Sequence, residues 1–281
     1  MTRPGRPQHE PTTPLGKALR ALRNDAKLGG VDVAKRAGIS QTVLSRYELG
    51  ERVPEPAIVK TLCRIYGAPA DTRRELVALA DATFGGNVSF DVVRKRGAWQ
   101  MQERVARAER AASTIIGWRP AVLDGLCQTR AYARAMFPDN FGLTVEDIER
   151  TVDARMARQD VLRSGREFRI AHAEGALMWC MGSPAVMVEQ LDHLLTLSHL
   201  PNVELGTVPY NVAARVPPLH NFTIYDRSAV HFGTGHETHF VAEYADVKRY
   251  LEYWTEYEPL IVWGEKARAV FRRVRGLFAT L

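Results

Sequence analysis

Leu15, Ala18, Leu19, Leu22 and Ala26 recur at the three- and four-residue spacing of one helix face. Thr13-Pro14 ahead of them supplies a cap and a proline at the first helical position, so the pattern predicts a helix to about Lys27, closed by Gly29-Gly30. Val33, Ala34 and Ala37 mark a short second helix ended by Gly38. A third spans about Gln41 to Leu49, opened by Ile39-Ser40 and stopped by Gly50. Ile58, Val59, Leu62, Ile65 and Tyr66 give a fourth, and a fifth covers about Ala70 to Thr83 before Gly85-Gly86.

Beyond these glycines the pattern changes. Met101, Val105, Ala108, Ala112 and Ile115 predict a connecting helix over about 101–116, followed by helices near 129–137 and 145–162. Strand-like runs follow at Phe168–Ala173, Val203–Val208, Asn221–Tyr225, Ala229–Phe232 and His239–Val241, with helices near 184–199, 244–257 and 260–278. Helices and strands do not alternate regularly, which favours α+β over a doubly wound sheet. The expected organisation is a disordered tail at 1–12, an all-α five-helix domain at 13–86 and a larger α+β domain at 87–281.

The 281 residues, 46% hydrophobic and 25% charged, suit two soluble globular domains. The charge is unevenly placed. Residues 1–85 hold 14 Lys/Arg against 9 Asp/Glu, whereas the remainder holds 24 against 23. An excess of five positive charges in the first third is the footprint of a domain that meets a polyanion. Cys63, Cys127 and Cys180 form no CxxC pair and sit among apolar residues, so they are expected to be buried and reduced. The polar, proline-rich start carries no secretory h-region and no apolar run is long enough to span a membrane, so a cytoplasmic protein is expected.

The chemistry concentrates in Val33–Gly50, VAKRAGISQTVLSRYELG. Two short helices joined at a glycine form a helix-turn-helix unit. Ala34 is small where the helices cross, Gly38 permits positive φ, Ser40 caps the third helix, and Ile39, Leu44 and Tyr47 are placed to plug the core. The exposed positions of that helix are Gln41, Thr42, Ser45 and Arg46, residue types whose amide, hydroxyl and guanidinium groups read base edges. Lys35 and Arg52 are candidate phosphate contacts. Glu48 is expected to pair with Arg20 or Arg23 rather than act as a functional acid.

Residues 14–80 resemble the Xre/Cro type of helix-turn-helix domain, through LGKALRALR at 15–23, VAKRAGIS at 33–40, LSRYELGERVP at 44–54 and VKTLCRIYG at 59–67. The rest is similar to the WhiJ-like, antitoxin-like regulators, through RVARAERAAS at 104–113, LDGLCQTRAYARAMF at 123–137, DARMARQDVL at 153–162, PAVMVEQLDHLLTL at 184–197 and PNVELGTVPYNVAA at 201–214. The resemblance implies transcriptional control, often repression, of a double-stranded DNA operator, with a small partner protein encoded nearby. There are three departures: Gly30 stands where the first family commonly has Gln, Asp124 where the second usually has Pro, and the stretch His231 to His239 is unusual in its histidine content.

In the C-terminal part, Thr129 is a candidate helix cap, and Arg155, Arg158 and Gln159 share one helix face. Glu109, Glu174 and Glu243 are their candidate partners. Either a buried polar network or a pocket for a ligand or partner carboxylate fits them, the latter with Trp118 or Trp99 in its wall. No G-x-S-x-G elbow, P-loop or H-E-x-x-H is present, so no enzyme and no cofactor are expected. GTGHET is an imperfect phosphate-loop pattern, and His231, His236 and His239 fit no standard zinc spacing, so no metal is expected. A single recognition helix touches few base pairs, which predicts a homodimer on paired half-sites. Trp118, Trp254, Trp263, Phe271 and Phe278 are the apolar residues expected to supply its interface. The alternative is an antitoxin-like module that mainly sequesters a small partner protein.

Overall fold

The Thr13 hydroxyl accepts from the Gly16 amide at 3.0 Å and Pro14 takes the first turn, so α1 runs Pro14–Asp25. α2 (Gly30–Ala37) ends at Gly38 with φ of 70°, and α3 (Gln41–Leu49) ends at Gly50 with φ of 74°. These two turns need a left-handed residue, which glycine adopts without steric cost. α4 (Pro56–Tyr66) and α5 (Ala70–Thr83) complete the five-helix domain. The computed structural model describes residues 13–83, 88–89, 98–137, 142–233 and 237–281. The expected tail at 1–12 and the Gly85-Gly86 break lie outside the described residues.

The C-terminal domain is α+β. Its strands are β1 (Val88–Ser89), β2 (Thr114–Arg119), β3 (Glu167–Ala173), β4 (Val203–Val208), β5 (Phe222–Tyr225), β6 (Ala229–Gly233), β7 (Glu237–Val241) and β8 (Val262–Trp263). They form one sheet in the order β1-β7-β6-β5-β2-β3-β4-β8. β2, β3 and β4 are parallel and the other pairings antiparallel. Around the sheet lie α6 (Ala98–Ala111), α7 (Arg130–Ala135), α8 (Val145–Arg158), α9 (Glu174–Met178), α10 (Pro184–Leu197), α11 (Tyr244–Tyr257) and α12 (Gly264–Ala279).

Strand alternation divides the core. Phe168, Ile170, Val203 and Leu205 lie on the side of α10 and α12, and Ile115 and Tyr225 on the same sheet face meet α6, whereas Trp118, Ala171, Phe222 and Ile224 face α11. The first apolar cluster does not stop at the domain boundary. It runs from Leu19, Leu44 and Leu62 of the helical domain through Val105 and Ala108 of α6 to Phe271 of α12.

The connecting helix differs from expectation. It ends at Ala111, because the amides of Ser113 and Thr114 donate to Asp226 Oδ1 at 2.8 and 2.9 Å, and β-branched Thr114, Ile115 and Ile116 continue as β2. The last helix starts at Gly264 rather than 260. Val262 and Trp263 pair instead with Thr207 and Gly206, and a Cβ on Gly206 would lie 2.6 Å from the Trp263 ring. Cys63 and Cys127 are buried and free, but Cys180 is exposed, in the loop beyond α9. No described helix is long and apolar enough to cross a membrane.

Candidate nucleic-acid interface

The reading surface rests on how tightly α1 and α3 cross. A Cβ at Gly16 would lie 2.8 Å from the Glu48 carbonyl and 2.9 Å from that of Tyr47. Arg23 clamps the same crossing from the side, its Nε and Nη2 donating to the two Glu48 carboxylate oxygens at 2.6 and 2.8 Å. Glu48 is thus a structural acid, as its place at the end of α3 suggested. The Ser40 hydroxyl accepts from the Val43 amide at 3.2 Å and fixes the start of α3. With Val33, Ala34, Leu44 and Tyr47 buried beneath, Gln41, Thr42 and Ser45 are left exposed on one face, with Lys35 and Arg36 exposed at the end of α2. Gly30 opens α2, and a Cβ there would meet nothing closer than a Leu44 methyl at 4.0 Å.

Two of the six predicted DNA-contact residues are engaged by the C-terminal domain. The Arg46 guanidinium lies over the Tyr244 ring, 5.3 Å from its centroid. Arg52 donates to Glu243 Oε1 at 2.6 Å. Both partners sit at the start of α11, about two hundred residues away in sequence. Periodicity carries no information about such a contact. Tyr47 is core, 5% exposed, and burial raises its phenol pKa above the ordinary value.

The second predicted constellation is rearranged. Arg158 forms a forked pair with Glu109, at 3.0 and 2.5 Å, as one of the expected partners. The other two acids are elsewhere: Glu174 holds Arg273, and Glu243 holds Arg52. Arg155 donates instead to Gln128 Oε1 at 2.7 Å, and Gln159 donates to the carbonyls of Gly125 and Gln128. Arg155 and Arg158 border a cavity of about 250 Å³ beneath the sheet. Trp118 does not, because alternation along β2 sends Arg119 to that face and Trp118 to the other, where it stacks on Tyr257 at 4.6 Å. Trp99 lies under the Arg150 guanidinium. Reading residues 153–162 alone missed Arg119, Asp124 and Gln128. The unusual Asp124 was the available signal: it pairs with Arg119 at 2.5 Å and accepts from the Leu126 amide at 2.8 Å.

The histidine-rich segment is a hairpin. His231 stacks on Phe240 and His239 on Phe232, which alternation places on opposite sheet faces. His236 and the centre of GTGHET lie outside the described residues. Among the described residues, no cluster of His, Cys, Asp or Glu could hold a metal ion. Four of the aromatics expected at a dimer contact, Trp118, Trp254, Phe271 and Phe278, are buried within the protomer. The fifth, Trp263, covers Gly206.

A capped two-helix unit with an exposed polar recognition face, on the basic end of the chain, defines a helix-turn-helix DNA-binding regulator. Residues 14–76 match the family described as helix-turn-helix domain. Residues 102–273, more than half of the chain, match the domain of unknown function DUF5753, and the chain belongs to that family. No curated protein and no solved structure matches the chain.

Proposed function

We propose that this chain is a sequence-specific transcriptional repressor of the Xre type, non-catalytic, in which the C-terminal domain receives a signal from a small protein encoded nearby or from a small ligand. Gln41, Thr42, Ser45 and Arg46 read base edges in the major groove, and Lys35 and Arg52 grip phosphates. The observation that carries the reading is the hold of Glu243 and Tyr244 on Arg52 and Arg46. The Tyr244 ring takes one face of the Arg46 guanidinium and fixes where its N–H groups can reach, and an Arg52 paired with a carboxylate is not free for a phosphate. DNA and α11 therefore compete for the same two side chains, which gives the receiver a lever on the reader.

Paired half-sites about one helical turn apart call for a homodimer. Beyond residue 86, Met178 and Trp179 leave apolar area exposed for it. The direct test is genome-wide recovery of DNA bound to the full chain, followed by titration of the recovered fragments. Affinity for those fragments no greater than for random DNA overturns the reading.

A further inference from the structure

Among the described residues, the cavity beneath β2, β5 and β6 is lined by five charged side chains: Arg119, Arg155, Arg158, Glu109 and Asp124. Two cations are neutralised. Arg158 forks onto Glu109, and Arg119 pairs with Asp124. The third is not. Arg155 has one Nη on the neutral Gln128 amide and its guanidinium over the Phe137 ring at 4.8 Å, and its buried Nε has no hydrogen-bond partner. Burial and the neighbouring Arg158 push its pKa down to about 10, so it stays cationic at neutral pH. A largely buried guanidinium with no ion pair of its own, its nearest carboxylate Asp124 already held by Arg119, is a costly arrangement for a fold to keep, because a neutral side chain of similar length avoids the desolvation penalty.

His231 also borders the cavity. Burial, together with Arg119, Arg158 and Arg104, pushes its pKa down to about 3, so it adds no charge at neutral pH. Among the described residues, the lining therefore carries one more positive than negative charge. Met101, Val105, Ile115, Leu126 and Met136 supply apolar walls around it.

We propose that this cavity is the binding site of a small amphipathic organic acid bearing one carboxylate, which accepts from Arg155 while its apolar body packs between α6 and the turn at Gly125–Cys127. One negative charge restores neutrality; a phosphate dianion overshoots it and would stand against Glu109 and Asp124. A planar carboxylate also suits the guanidinium's paired N–H donors. The site deepens the receiver reading by naming its input, but occupancy of the cavity does not depend on that reading.

The test is calorimetric titration of the full chain with three probes, hexanoate, phenylacetate and indole-3-acetate, against hexanamide, phenylacetamide and phenyl phosphate. One acid per chain is expected to bind, with its amide or phosphate counterpart about tenfold weaker or worse. Arg155→Gln is expected to lose a similar factor while its ligand-free melting temperature does not fall, since the change removes an unpaired buried charge. Arg150→Gln, outside the cavity, should bind as the parent does. Equal binding of acid and amide, equal binding by Arg155→Gln, or no binding by any acid at millimolar concentration overturns the proposal. A peptide with a free C-terminal carboxylate that binds where the acids fail also overturns it, in favour of a protein tail. Acid binding that leaves operator affinity unchanged keeps the site and removes the acid as the receiver's input, since linkage makes the two effects reciprocal.

Discussion

Replacing both Glu243 and Tyr244 by Ala should tighten operator binding by the full chain. The magnitude follows from exposure. Arg52 and Glu243 are 29% and 59% exposed, which puts their ion pair at about 0.2–1 kcal/mol. Tyr244 is 43% exposed, and its stacking with Arg46 is worth about 0.5–1 kcal/mol at such a site. If both contacts must break on DNA, their removal returns about 0.7–2 kcal/mol, a factor of about 3–30 in affinity. Anisotropy titration of a labelled operator at low salt measures it. The ionic part should shrink as salt rises, with a screening length of about 10 Å at 0.1 M. Lost negative charge alone could raise affinity for DNA, so Glu252→Ala is the control: that carboxylate is exposed on the same helix and pairs with Lys248. A double variant that binds as the parent does, or a Glu252→Ala gain of equal size, refutes the competition between α11 and DNA.

Gln41→Ala should cost roughly 1–3 kcal/mol at one base position, whereas Lys35→Ala should weaken all sequences alike and lower the salt slope by about one; competition binding over a randomised operator separates the two outcomes. Gly16→Ala should destabilise the chain by about 1–3 kcal/mol, because its Cβ would meet carbonyl oxygens at 2.8 and 2.9 Å that cannot move without parting α1 from α3; urea unfolding measures this, and an unchanged midpoint contradicts the close crossing. His172 is fully buried, accepts from the Asp124 amide through Nε2, and has its pKa pushed down by burial to about 4. Below the ordinary 6.5 the unfolded chain takes up this proton and the folded chain does not, so the contribution of His172 is full above pH 6.5 and falls by about 1.4 kcal/mol per unit as pH drops toward 4, beside a like contribution from His231. His172→Gln should flatten that part of the pH–stability profile, and an unchanged slope would place the acid sensitivity elsewhere. If the proposed homodimer forms through Met178 and Trp179, the parent should sediment as a dimer and Trp179→Asp as a monomer; full dimerisation of that variant moves the interface off this segment.

The helical domain was legible because its signals are local. Thr13-Pro14, Gly38, Ser40 and Gly50 each act within one turn of themselves, and they mark the ends of α1, α2 and α3 in the structure. The expected strands from 168 to 241 were readable from their β-branched and aromatic runs. What escaped depends on partners far along the chain. Ile115 continues the helical spacing of α6, but Asp226, more than a hundred residues later, takes the amides that would have extended that helix. Trp118 sits beside Arg119 in sequence, yet strand alternation puts them on opposite faces, so only one can line the cavity. Glu243 was legible as an acid in need of a cation. Nothing local could show that the cation would be Arg52 of the reader rather than Arg155.

The apolar cluster that passes from Leu19 through α6 to Phe271 bears on how the molecule melts. A reader joined to its receiver by a bare linker would unfold in its own transition and could be exchanged for another without disturbing its neighbour. Here Leu15 and Val53 share one buried cluster with Ala108, Ala112 and Tyr225, so melting either part strips cover from the other. The chain should then show a single heat-absorption peak whose van't Hoff and calorimetric enthalpies agree. The specificity of the reader should be altered more readily by point substitution on α3 than by grafting a foreign helical domain onto the same body.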